Sequence, residues 1–299
     1  MRSLSHVVLI VNPFASAVDE HRIELVERAL ARRAQVRRQL TQRRGHATEL
    51  AREARDADAI FVYSGDGGFN EAMNGIGADG PPLGCIPGGG TSVFPRALGL
   101  PREPVAAAER LADAFAAGRT RRISVGRVDG RRFLFSAGLF FDAELVRRIE
   151  AQRSRAGRPG DAAFVATLVR LIGEHRGRFD PALEIDGLGR AAFAFVANAD
   201  PYTYLGAIPV HVAPEATLER GLDVIAPTRV RAHTIPRLLR YVLTGRGQLD
   251  DPDILYAHDR DRIEVRCDRR LALQADGEDL GDVVEAVFEA ERNAVSVFV

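Results

Sequence analysis

Ser64-Gly65-Asp66-Gly67-Gly68-Phe69-Asn70-Glu71 is the stretch whose reading decides the fold. It follows a short apolar run, Ala59–Tyr63, and opens a segment with helical character. A second glycine turn, Pro87-Gly88-Gly89-Gly90-Thr91-Ser92, repeats the arrangement after Leu83–Ile86. Strand, glycine turn and helix together aim backbone N–H groups and a helix N-terminus at an anion. The first turn also carries an acid, Asp66, among its glycines. An anion cradle beside a carboxylate suits a polyphosphate held with a divalent cation, the requirement of phosphoryl transfer.

Outward from these turns, strand and helix alternate. Val7–Val11 reads as a buried strand ending at Asn12-Pro13, and Glu20–Ala34 as a helix. Val36–Leu40 is a strand ending at Thr41. Gly45-His46-Ala47-Thr48 opens a helix through Ala54, and Pro104–Ala117 is an amphipathic helix. Such alternation predicts a parallel α/β sheet, whose ligands bind at the carboxyl ends of the strands. Asn12-Pro13, Thr41 and both glycine turns all fall at that edge.

Past Arg119 the pattern becomes β-rich. Ile123–Val128, Arg132–Ala137, Ala182–Ile185, Ala191–Val196, Val210–Ala213, Leu222–Ile225, Arg262–Arg266, Leu271–Gln274 and Ala294–Val299 read as strands, with Ala162–Gly173 a helix among them. The expected division is an α/β nucleotide-binding domain over residues 1–122 and a β-sandwich-like domain over 123–299. The last strand is open to returning to the first domain. Ala151–Gly160 reads as a mobile loop. Gln274-Ala275-Asp276-Gly277-Glu278 reads equally well as a hairpin turn, on its Asp-Gly pair, or as a carboxylate base aimed into a cleft.

Composition narrows the chemistry. Apolar residues make up 46% and charged residues 27%, ordinary for a globular protein. Net charge is zero, which disfavours a nucleic-acid partner. All 41 basic residues are Arg. Without Lys there is no Walker A loop, protein-kinase lysine or pyridoxal Schiff base. Phosphate charge must be met by Arg, backbone N–H groups or metal. Cys85 and Cys267 show no metal-ligand spacing and read as reduced thiols. No apolar run is long enough to span a membrane, so the expectation is a cytoplasmic protein with peripheral membrane contact. The oligomeric state is left open, a homodimer included.

Taken in order, these motifs resemble the diacylglycerol kinase catalytic domain family of soluble lipid kinases. The family pattern G-G-D-G-T-x-N-E-x-x-N-G is matched by Ser64–Gly75, and P-x-G-T/S-x-N-x-x-A-R-x-L more loosely by Pro87–Leu98. Asn12-Pro13, Thr41 with Gly45-His46-Ala47, Ser136–Ala143, Asn198–Pro214 and Gln274–Glu278 are similar to its remaining elements. The resemblance implies an α/β nucleotide domain followed by a β-sandwich with a cleft between them, and ATP-dependent phosphorylation of a lipid alcohol. It places ATP against Asn12, Thr41, Ser64, Gly65, Gly67, Gly68, Asn70, Glu71, Gly88, Gly89, Gly90 and Thr91. It implies Mg²⁺ and Glu278 as general base, with Asp66 acting either on the metal–phosphate side or by sharing the proton transfer.

The chain departs from the family at Gly68, where Thr is usual, at Ser92 for Asn, at Pro95 for Ala and at Val93, where many bacterial members have Asp. Arg220 stands where many bacterial members place an acid of a structural Mg²⁺ site, which implies that this site is missing. Two alternatives are an NAD kinase-like enzyme, whose T-P-T-G-S-T-A-Y signature the chain lacks, and a non-catalytic nucleotide- or lipid-binding member, motivated by Gly68 and Ser92.

Overall fold

The computed structural model describes residues 5–77, 79–152 and 160–299. Most of the expected loop at Ala151–Gly160 therefore lies outside the described residues. The chain divides into two compact units, Met1–Ser124 with Arg292–Val299, and Val125–Glu291.

The first unit is built as strand and helix in turn: β1 (His6–Val11), α1 (Glu20–Ala31), β2 (Gln35–Leu40), α2 (His46–Glu53), β3 (Ala59–Ser64), α3 (Asp66–Ile76), β4 (Leu83–Pro87), the short α4 (Val93–Ala97) and α5 (Pro104–Ala116). The strands pair in parallel in the order β4-β3-β1-β2. β1 and β3 are covered on both faces: Val7 to Val11 and Ala59 to Tyr63 are almost wholly buried. This is why they read as unbroken apolar runs rather than alternating ones. β2 is the edge, and Arg37, Arg38 and Gln39 suit its half-solvated position. α1 is opened by Asp19, whose carboxylate accepts the Arg22 N–H at 2.8 Å. α2 and α3 approach closely at Gly75, where a Cβ would fall onto the Thr48 carbonyl oxygen.

The second unit is mostly antiparallel. β5 (Thr120–Val128) leads into it. β6 (Arg131–Phe133), β7 (Ser136–Leu139), α6 (Phe141–Ala151), α7 (Asp161–Glu174), β8 (Leu183–Ile185), β9 (Gly189–Ala191), β10 (Ala194–Ala197), β11 (Thr203–Leu205), β12 (Ile208–Val210) and β13 (Leu222–Pro227) follow. α8 (Ile235–Thr244), β14 (Ile254–Arg260), β15 (Arg262–Ala275) and β16 (Glu278–Phe298) complete it. Its sheet runs β14-β13-β10-β7-β15-β16, every neighbouring pair antiparallel. The core centres on Phe133, Leu139, Val196, Val224, Leu273 and Phe288. β16 is long enough to leave this unit: its Val297 pairs in parallel with Leu83 of β4, adding a strand to the first sheet.

Several elements differ from the sequence reading. Arg262–Arg266 and Leu271–Gln274 are one strand, β15, interrupted by register shifts. Val210–Ala213 yields only the end of β12. α6, α8 and β14 were not anticipated. α8 has Pro236 in its first turn, where the missing N–H costs nothing. Among the described residues no helix is long and apolar enough to cross a membrane. The two cysteines are free thiols, and burial pushes the Cys85 thiol well up.

Candidate active site

The motifs of the first unit meet at the carboxyl edge of its sheet, tied by backbone bonds. Asn12 N–H donates to the Tyr63 carbonyl at 3.0 Å, Thr41 N–H to Val11 at 2.8 Å, Gly88 N–H to Ser64 at 2.7 Å, and Ala17 N–H to Gly88 at 2.9 Å. The Asn12 side chain also accepts the Phe14 N–H at 3.0 Å, closing the turn after β1.

The two glycine turns touch main chain to main chain. A Cβ on Gly89 would stand 3.0 Å from the Gly65 Cα, and one on Gly88 would stand 2.8 Å from Val18 and 3.1 Å from the Ser64 carbonyl oxygen. Side chains at 88 and 89 would therefore push the turns apart. Together they form one ledge of bare backbone at the start of α3 and α4.

Asp66 joins the two halves of this ledge. Its carboxylate accepts the N–H groups of Val93 and Phe94, both at 2.9 Å. These are the first N–H groups of α4, so Asp66 acts as a long-range cap. Thr91 is not the N-cap. Ser92 is, in a left-handed conformation at φ 47°, with its hydroxyl donating to the Gly89 carbonyl at 2.9 Å. Asn70 is buried and receives the Asn74 amide at 3.1 Å. The Glu71 carboxylate accepts the Ala47 N–H at 3.2 Å, at the start of α2.

Ser64 explains the glycine at 68. A Cβ on Gly68 would lie 2.6 Å from the Ser64 Cβ. Only one of the two positions can carry a side chain. Here it is 64, and the Ser64 hydroxyl is buried without a hydrogen-bond partner. The family pattern has the reverse assignment, glycine at 64 and Thr at 68.

In the second unit, Gln274–Glu278 is the hairpin between β15 and β16. Asp276 and Gly277 both have positive φ, 48° and 77°, the requirement of a two-residue type I′ turn. The turn is anchored twice. The Asp276 carboxylate accepts the N–H groups of Leu134 (2.6 Å), Phe135 (3.0 Å) and Ser136 (3.2 Å). Gln274 accepts the Gly277 N–H at 2.9 Å and donates to Asp142 at 2.5 Å, while the Tyr202 hydroxyl donates to the other Asp142 oxygen at 2.5 Å. Burial dominates over these bonds and pushes the Asp142 carboxyl up to about 6. Glu278 emerges beyond this anchored turn, its carboxylate paired with Arg131. Asp276 and the Gln274–Asp142–Tyr202 chain were missed as anchors. Their partners lie 60 to 142 residues away, and no local pattern marks them.

The region of Arg220 does not fit a resident cation. Asp223 is buried and accepts the Tyr256 hydroxyl at 2.8 Å and the Asp259 N–H at 3.0 Å, with His258 Nδ1 2.8 Å away. Arg220 presents a guanidinium to the other nitrogen of His258 at 2.5 Å. Among the described residues no group of three or more His, Cys, Asp or Glu is placed to share a metal.

The first unit thus carries a ledge of bare backbone at the carboxyl edge of its parallel sheet, and the second an anchored hairpin that ends at Glu278. Residues 6–128 match the diacylglycerol kinase catalytic domain, and residues 135–299 match the YegS C-terminal NAD kinase beta sandwich-like domain. The chain belongs to the diacylglycerol kinase family, and at that level it is a phosphotransferase of lipid-kinase type. It is 29% identical to a diacylglycerol kinase of Bacillus subtilis (strain 168) over 239 residues, covering 78% of this chain and 76% of that one. A diacylglycerol kinase of Staphylococcus haemolyticus is 38% identical over 98 residues, 31% of this chain and 28% of that protein. A crystal structure of a diacylglycerol kinase from Bacillus anthracis (strain Sterne) superposes with a TM-score of 0.72 at 22% identity, covering 100% of this chain and 98% of that one. It shares the fold.

Proposed function

We propose that this protein transfers the γ-phosphate of ATP to the hydroxyl of a lipid alcohol. The observation that carries the reading is the paired glycine ledge, in which side chains at 88 and 89 would press on Val18, Ser64 and Gly65 and Asp66 locks one turn to the other. Backbone N–H groups held in place before any ligand arrives are suited to phosphate oxygens, because their orientation is already fixed.

ATP would lie against Gly65, Gly67, Gly68 and Gly88–Thr91, with Asn12, Thr41, Ser64, Asn70 and Glu71 around it. Mg²⁺ takes few protein ligands and is satisfied mainly by phosphate oxygens and water. Asp66 is the carboxylate nearest that need. Its two oxygens already hold backbone N–H groups, so any role toward a cation uses their remaining lone pairs. When bound, the cation neutralises charge on the phosphates. Glu278 is the general base for the lipid hydroxyl proton. Its pairing with Arg131 and its seat on an anchored turn fix where the carboxylate points. The lipid acceptor implies work at a bilayer surface through peripheral contact.

The test uses purified protein, Mg²⁺ and ATP labelled at the γ-phosphate, incubated with a total lipid extract. The expected result is a labelled lipid that vanishes in Gly89→Val. ATP binding with no labelled lipid would overturn the reading in favour of a non-catalytic nucleotide-binding member.

A further inference from the structure

Asp223 lies on β13 and is fully buried. A buried carboxylate is costly unless it is hydrogen-bonded and matched by positive charge. The sheet supplies the hydrogen bonds through a bulge. Leu222 pairs with Arg260 and Val224 with Ala257, so His258 and Asp259 of β14 stand together opposite Asp223. Asp259 takes a positive φ of 55° there. The bulge aims both residues at one carboxylate: the Asp259 N–H donates to it at 3.0 Å, and His258 Nδ1 lies 2.8 Å away. The Tyr256 hydroxyl donates to it at 2.8 Å. Burial, and then the bond to Asp223, push the Tyr256 phenol well up, so it remains a donor.

The matching charge arrives through His258. Arg220 Nη1 is 2.5 Å from His258 Nε2. A guanidinium only donates, so Nε2 accepts with its lone pair, and the ring proton sits on Nδ1, toward Asp223. The ring is a bridge with a direction, from guanidinium to imidazole to carboxylate. The positive charge that answers Asp223 along it is Arg220's. Two further carboxylates stand close: Glu215 lies 3.0 Å from the Tyr256 hydroxyl, and Asp259 accepts the Gly221 N–H at 2.7 Å. Three acids around Tyr256 and His258 call for a cation. A divalent ion is satisfied by oxygen lone pairs. Those of Asp223 instead face an O–H and two N–H donors.

We propose that Arg220 is the resident cation of the second unit: through His258 it takes the place of the divalent ion that the family resemblance implies at this bulge. β13 and β14 are then held together without a metal, and the stability of this unit is independent of Mg²⁺. The brace reaches past the bulge. β13 pairs with β10 at Asp223 and Ala197. The next residue, Asn198, donates its side-chain amide to the Leu134 carbonyl at 2.7 Å. Leu134 opens the segment that the Asp276 carboxylate clamps.

The experiment reads the stability of the full chain without nucleotide or lipid, so it stands apart from the kinase reading. Thermal melts are run in EDTA and in millimolar Mg²⁺. The parent protein is expected to melt at the same temperature in both. Arg220→Gln, a change at an exposed position, should lower the melting temperature by about 3–6 °C in both solutions. Arg220→Lys should recover about half of that loss, because the ammonium keeps the charge but not the fork. Arg220→Asp trades the guanidinium for oxygen ligands. It should melt lowest in EDTA and be raised by Mg²⁺, as the parent is not. Nitrogen NMR of the His258 ring in the parent should find the proton on Nδ1. A parent melting temperature that Mg²⁺ raises, and still raises in Asp66→Asn, would overturn the proposal. So would an unchanged melting temperature in Arg220→Gln, Arg220→Lys as unstable as Arg220→Gln, a ring proton on Nε2, or a folded Arg220→Asp that ignores Mg²⁺.

Discussion

Two turns in this chain look alike and are built to different ends. Ser64–Glu71 and Gln274–Glu278 each set an acid beside glycine after an apolar strand, and each spends that acid on distant backbone. Asp66 holds the N–H groups of Val93 and Phe94, and Asp276 holds those of Leu134, Phe135 and Ser136. On the proposed reading, the working surface around Asp66 is main chain, made available by the absence of side chains, and around Asp276 it is a side chain, Glu278, set on a turn whose geometry the acid secures. An acid within a glycine turn therefore reads as chemistry while also doing the joinery that makes neighbouring groups effective.

The sharpest way to break the comparison is Glu278→Gln. If the second turn exists to present a carboxylate, the change should lower kcat by roughly a hundredfold or more, with ATP affinity nearly unchanged. A near-normal kcat, measured with saturating ATP and lipid, would return the hairpin to a purely structural role and move the base to Asp66.

The second test concerns how that turn is held. Asp142 has its carboxyl raised to about 6 by burial, against 3.8 for the ordinary group. Between those values the folded state holds a proton that the unfolded state has released, so stability falls as pH rises from about 4 to above 6. The contribution is on the order of 2–3 kcal/mol. Asp142→Asn removes the titration, since an amide can accept from Gln274 and donate to Tyr202. Denaturant unfolding at pH 4.5 and pH 7.5 should show that this variant gains on the parent protein as pH rises. A constant difference between the two proteins would contradict the buried-acid account.

Asp66→Asn probes the first turn. An amide keeps one acceptor but turns its NH₂ toward a second N–H, at a cost of about 1–3 kcal/mol in stability. If Asp66 also serves the cation, the Mg²⁺ concentration for half-maximal activity should rise. A stability loss with no change in Mg²⁺ dependence would leave Asp66 as joinery alone.

How far the sequence could be read follows the same division. The strands, turns and helices of the first unit were legible because each is local: β1, β3 and β4 are apolar runs buried on both faces, and β3 and β4 are followed by glycine at the sheet edge. The second unit was legible only in outline. β16 hid its length because Glu278–Arg292 is dense in charged residues, so no apolar run announced it. α6 was obscured by the Ser136–Ala143 motif that runs into it, and α8 by a proline that merely marks its first turn. The anchors Asp276 and Asp142 could not be found by any local pattern, because what they bind is far along the chain.

The smallest effect tests the one place where local reading noticed a departure and missed its cause. Gly68 replaces a residue that normally bears a hydroxyl, which taken alone suggests a weakened phosphate turn. The structure couples it to Ser64, because two Cβ atoms 2.6 Å apart cannot coexist. Gly68→Thr alone should therefore destabilise the protein by about 1–3 kcal/mol through overpacking. Ser64→Gly alone should cost roughly 0.5–1 kcal/mol, the usual penalty for glycine in a strand. The double variant relieves the clash, so its loss should be smaller than the sum by about 1–2 kcal/mol. A thermal or urea melt of all four proteins measures that coupling. Strictly additive losses would mean that residues 64 and 68 do not compete for one space, and the ledge would then lack its hydroxyl at 68 for some other reason.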